Sequence, residues 1–149
     1  MPRRDAKWVD IQLQPIVQEL PFYFRDSFDL KELILNPAIV PARSRVWASD
    51  AVGMYVNIPT DPALVEIAAY LRDPETQKQF PHYKAEMLIA ALEIVMQNSL
   101  IKCGDHYVKQ ISGTAMGKPC APPWANLYQA LHELKFRNDW IAQVPIYIR

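Results

Sequence analysis

The chain has 149 residues, half of them hydrophobic, which suits one domain with a real core and leaves too little for two. This composition excludes intrinsic disorder, and no apolar run approaches the length of a membrane span. The 16 basic and 16 acidic residues cancel, but acidic residues concentrate in 50–99 and basic ones in 100–149. The basic C-terminal third could face phosphates, although an ordinary solvated surface explains so small an excess equally well.

Met1-Pro-Arg-Arg-Asp5 has no apolar run behind it, so no secretory leader is expected. Only Cys103 and Cys120 occur, and both are expected as free thiols with no disulfide, in an intracellular setting, nuclear or cytoplasmic. There are 13 prolines and four glycines; the prolines stand at apparent element boundaries or as the pair Pro122-Pro123.

Residues 8–19 read as a helix with Trp8, Ile11, Ile16 and Leu20 on one side, and Pro15 is predicted to break it or open its second half. Asp26-Ser-Phe-Asp29 marks a helix start, and that helix ends before Pro37. Arg45–Asp50, with Val46, Trp47 and Ala48, reads as a short buried strand. Asp61-Pro62 reads as an N-cap with proline at the first helical position, followed by the stripe Leu64, Ile67, Ala68 and Leu71.

Residues 72–82 read as a polar link, and 83–99 as a central helix through Met87, Leu88, Ala91, Leu92 and Val95. Leu100–Cys103 and His106–Ile111 flank Gly104-Asp105, which predicts a β-hairpin. A loop of glycines and prolines over 112–123 leads into a helix from about Trp124 to Trp140, with Trp124, Leu127, Tyr128 and Leu131 buried. The run Val144–Arg149 reads as the beginning of a strand, which suggests a fragment.

Two segments carry the chemistry. In Ser49-Asp50-Ala-Val-Gly-Met-Tyr55, a carboxylate at a strand end could hold Mg²⁺, which prefers hard oxygen ligands and leaves room for substrate phosphates. The aromatic at Tyr55 could stand beneath the sugar of an incoming nucleotide. For such a pattern alone, a surface-turn aspartate and a core aromatic remain the ordinary reading. In Gln110–Asn126, Gly113 and Gly117 supply backbone angles closed to other residues, and small residues let the backbone lie against something flat.

With Asp50, Tyr55, Ile58 and Pro59 on one segment and Gln110, Gly113, Met116, Gly117, Ala121, Pro122, Ala125 and Asn126 on the other, the chain resembles the reverse transcriptases of Penelope-like retroelements, relatives of telomerase reverse transcriptase. Arg25–Leu30 and the Tyr107-x-x-Gln110 approach look like the same family. The resemblance implies an α+β fold, a partial polymerase palm with a small antiparallel sheet packed with several helices and a central strand ending at Asp50. Residues 1–44 would be a helical fingers and palm lead-in, and 45–149 a palm fragment stopping before the family's Tyr-x-Asp-Asp hairpin.

The resemblance also implies an RNA-directed DNA polymerase, a nucleotidyltransferase of retrotransposon origin. It would act with Mg²⁺ and deoxynucleotides on an RNA template and a DNA primer, away from membranes. Asp50 would be the catalytic metal ligand, beside the backbone carbonyl of Ala51. Tyr55, Gly113, Met116, Gly117 and Pro122 would bind the nucleotide, with Tyr55 rejecting a ribose 2′-hydroxyl. Lys109, Gln110, Lys118 and Asn126 would face template or primer. One aspartate cannot hold two metal ions, so the fragment alone is expected to be inactive. The alternative is a non-enzymatic remnant that binds nucleic acid or a protein partner.

Other clusters point to less. Cys103, His106 and Cys120 lack a second matching pair for zinc, and His132-Glu133 lacks the second histidine of a metalloprotease helix. Lys102, Lys109 and Lys118 could each touch phosphate or simply be solvated.

Overall fold

The computed structural model describes residues 2–40 and 43–140, with side chains over 4–40 and 43–135. Helix α1 spans Pro2–Gln18, α2 Ser27–Leu35, α3 Met54–Asn57, α4 Thr60–Arg72, α5 Pro74–Gln79, α6 Ala85–Gln97 and α7 Ala121–Trp140. Strands β1 (Leu100–Cys103) and β2 (His106–Lys109) form a two-stranded antiparallel sheet. The fold is therefore α+β, dominated by helices.

The core lies where α4 and α6 pack together while α1 and α7 cover them. Leu13, Ile16, Ile67, Leu71, Leu88, Leu92, Leu127 and Trp124 are fully buried there. Burying one such side chain contributes roughly 1.5–3 kcal/mol, so the four helices hold each other rather than standing alone.

Helix α1 runs straight through Pro15 instead of breaking. Its buried stripe is Ala6, Val9, Leu13, Ile16 and Val17, with Leu20 buried just past its end, so tertiary contacts anchor both sides of the proline. The carbonyl that Pro15 leaves without an N–H belongs to Ile11, which is 55% exposed, and water can serve it there. Ile11 is thus not on the buried side expected for it.

Helix α2 begins as expected: Asp26 accepts the backbone N–H groups of Phe28 and Asp29 at 2.9 and 3.2 Å. Helix α4 starts slightly earlier than expected, with Asp61 and Pro62 inside its first turn rather than at its boundary. The polar link contains α5, capped by Asp73 accepting from the Thr76 N–H at 2.9 Å. On α6, Leu88, Leu92 and Val95 are buried, whereas Met87 faces solvent.

The strand expected over 45–50 is absent. Residues 44–51 are irregular and exposed, and Trp47 is 87% exposed. Strand preference reflects a fit to a pleated, half-buried surface, and no neighbouring strand among the described residues offers one. Among the described residues the sheet consists of the hairpin around Gly104-Asp105, where Gly104 takes φ +60°. The strand expected over 144–149 lies outside the described residues.

Candidate functional site

Gly53, at φ +60°, turns the chain into the single turn α3, which carries Tyr55. The Tyr55 carbonyl accepts the backbone N–H of Thr114 at 2.6 Å. Thr60 Oγ1 donates to the Gly113 carbonyl at 3.2 Å. Between these two bonds the backbones nearly touch. A β-carbon on Gly113 would stand 2.9 Å from the Val56 oxygen, and Gly113 itself sits at φ +80°. Only glycine meets both demands without strain.

This clamp brings Tyr55 onto the loop that follows the hairpin. An open depression of about 380 Å³ results, lined by Tyr55, by Met116, Gly117, Lys118 and Pro119 of the loop, and by Ala121 and Pro122 at the start of α7. Tyr55 is half-buried, Gly117 adopts φ +91°, and Met116 projects into solvent. The lining is thus a phenol ring, a flexible apolar side chain and a backbone without side-chain cover at Gly117.

Lys118 is turned inward. Its Nζ donates to the Val95 carbonyl near the end of α6 and to Ser99 Oγ at 2.6 Å. Burial pushes its pKa down from the usual lysine value, while the Cys120 thiol acts in the opposite direction. A cation at a helix C-terminus satisfies carbonyls that have no intrahelical partner. Lys118 therefore fastens the loop to α6, and its ammonium is spent on protein oxygens rather than presented to a template.

None of the other expected template residues lines the depression. Lys109 ends β2 and is exposed. The Gln110 N–H donates to the Ser99 carbonyl at 2.8 Å, and its Nε2 donates to the Ser112 carbonyl at 2.9 Å. Asn126 is half-buried on α7, one turn beyond Pro122.

Asp50 and Ala51 do not join this group. Both are exposed in the irregular segment and neither lines the depression. Among the described residues, no three His, Cys, Asp or Glu side chains come together as a metal site. A lone solvated carboxylate does not fit Mg²⁺ in a catalytic role, which needs an octahedral shell fixed by more than one protein or substrate oxygen.

Sequence reasoning missed the clamp. Thr60 and Ser99 look like ordinary polar residues at element boundaries, and nothing in Gly117-Lys-Pro119 announces that the lysine points inward. The close approach at Gly113 has a visible signal, a glycine in a loop, but its neighbour Val56 lies too far away in sequence to be named.

Cys103 is exposed and Cys120 buried, both as free thiols. Burial pushes the Cys120 thiol up to about 11, which leaves it protonated at neutral pH and a poor nucleophile. Among the described residues, no helix is long and apolar enough to cross a membrane. Compared with known proteins, the chain matches no family model, no curated protein and no solved structure.

Proposed function

We propose that this chain is a partial reverse-transcriptase palm of the Penelope-like kind, in which the depression beneath Tyr55 holds a deoxynucleoside triphosphate. The observation that carries this reading is the 2.6 Å bond from the Thr114 N–H to the Tyr55 carbonyl, which joins the two segments of the resemblance at one site. There the Tyr55 ring would meet the sugar and exclude a 2′-hydroxyl by contact. The backbone at Gly117, with no Cβ in the way, would let base or phosphate approach closely. Pro122 and Ala121 would complete the lining.

Among the described residues no carboxylates gather into a metal-holding group, so the chain would lack the ligands that metal-assisted phosphoryl transfer requires. The chain alone is therefore a binding fold without turnover.

Calorimetric titration with dTTP and UTP tests the proposal. Tighter binding of dTTP, with the preference narrowed by Tyr55→Ala, is the expected result. Absence of binding by both triphosphates would overturn it. Magnesium-dependent primer extension abolished by Asp50→Ala would instead refute the lack of turnover.

A further inference from the structure

Every residue of the hairpin strands β1 and β2 is exposed, and at its root the Gln110 N–H donates to the Ser99 carbonyl. The register sets Ile101 opposite Val108 and Cys103 opposite His106. Directly opposed residues share a face, and faces alternate along each strand. One face therefore carries Ile101, Cys103, His106 and Val108. Lys102, Tyr107 and Lys109 stand on the other.

Cys103 and His106 flank the Gly104-Asp105 turn as a cross-strand pair, with β-carbons about 5 Å apart. Cys103 is a free thiol. A thiolate and an imidazole on either side of a tight turn are half of the tetrahedral Cys2His2 set that zinc takes in structural sites. One chain cannot complete that set. Among the described residues no three His, Cys, Asp or Glu side chains come together, and the second cysteine, Cys120, is fully buried.

The remainder of the face favours a second copy as the source of the other two ligands. Ile101 and Val108, 49% and 50% exposed, form an apolar pair next along the strands from Cys103 and His106. Consider two such faces laid together about a twofold axis that runs along the strands. They bury four aliphatic side chains and bring two Cys–His pairs to one point. Packed sheets lie about 10 Å apart, so an ion midway is about 5 Å from each backbone. A cysteine side chain plus a Zn–S bond of about 2.3 Å spans that distance. The lysines of the hairpin face away, so no ammonium opposes the cation, and Asp105 in the turn adds a negative charge beside it.

We propose that the hairpin is half of a zinc site completed by a second copy of this chain, with Cys103 and His106 of each copy holding one Zn²⁺ between two packed hairpins. Each thiol releases its proton to solvent and binds as thiolate, so the two thiolates balance the charge of the ion. This site is separate from the nucleotide depression and does not depend on it.

Sedimentation velocity of the full chain tests the proposal, in a phosphine reductant with either EDTA or zinc chloride, alongside measurement of bound zinc. The chain should be monomeric in EDTA and dimeric with zinc, at one ion per two chains, and zinc should shield Cys103 from a thiol reagent. Cys103→Ser and His106→Ala should each abolish the zinc-dependent dimer. Their melting in EDTA should match that of the parent, since both residues are exposed. Ile101→Asn should weaken the dimer roughly tenfold or more, as loss of a buried aliphatic side chain requires.

Absence of zinc binding would overturn the proposal, as would one ion per chain without association. A dimer indifferent to His106→Ala would do the same. So would a dimer that persists in EDTA and disappears only with reductant, which would be a disulfide through Cys103.

Discussion

Replacing Gly113 by alanine should be far more damaging than the same change at Gly117, although both glycines lie in one loop at positive φ. At Gly117, with φ +91° and nothing within 4 Å of the added carbon, only backbone strain is incurred. Strain of about 1–2 kcal/mol is partly offset by about 0.4–1 kcal/mol from the stiffer unfolded chain, leaving a net loss of about 1 kcal/mol. At Gly113 the new carbon also meets the Val56 oxygen at 2.9 Å and the Val56 Cα at 3.0 Å. These are backbone atoms that cannot rotate aside, and overpacking of this kind costs about 1–3 kcal/mol. Relieving it would stretch the Thr114 bond to Tyr55. Gly113→Ala should therefore lose about 2–4 kcal/mol, lowering Tm by roughly 6–12 °C, whereas Gly117→Ala should lower it by roughly 3 °C. Thermal unfolding followed by circular dichroism measures both. Equal shifts for the two variants would refute the close approach of loop and α3, and with it the joined site.

Three further outcomes are expected. Acrylamide should quench the fluorescence of Trp47 readily and that of Trp124 poorly, so Trp47→Phe lowers the quenchable fraction and Trp124→Phe raises it; a protected Trp47 would mean that 45–50 is packed after all. A thiol reagent at neutral pH should titrate Cys103 at once and Cys120 only after denaturation, because burial both hides the second thiol and pushes it up to about 11; two fast equivalents would contradict this. The Asp73 carboxylate is held below its ordinary value of 3.8 by the Thr76 N–H, and Asp26 likewise by the Asp29 N–H. Since both folded values are depressed, their contribution is complete above the unfolded pKa and is lost as pH falls through the folded one. The double variant Asp26→Asn with Asp73→Asn should therefore melt with a shallower pH dependence below about pH 4 than the parent, and an unchanged dependence would count against the caps.

Local signals with a chemical mechanism were legible in the sequence. Asp26 opened α2 because its carboxylate could reach two N–H groups, and Gly104-Asp105 turned a hairpin because glycine accepts a positive φ. Asp73-Pro-Glu-Thr76 carries an equally good start signal for α5, hidden inside a stretch that reads as merely polar. Features decided by distant partners were not legible. Arg45–Asp50 has strand composition but no neighbour to pair with, and Pro15 is tolerated because buried residues hold α1 on both sides of it. At the site, the resemblance pointed to Tyr55 and to Gly113–Pro122, and the structure brings these two segments into contact. The inward turn of Lys118 and the clamp by Thr60 depend on α6 and α4 being in place, which no window of sequence reveals.

The clamp also orders events in time. The Thr60–Gly113 bond joins residues 53 apart in sequence, and the chain between them contains α4, α5, α6 and the hairpin. Closing a flexible loop of that length would cost about 3.5 kcal/mol of chain entropy plus a constant, more than one or two hydrogen bonds return. The depression therefore cannot assemble ahead of the helices; it appears when α4 and α6 have already shortened the path between its walls. During synthesis, Tyr55 would emerge well before Met116–Pro122, so the depression comes into being only after α4, α5 and α6 have been made.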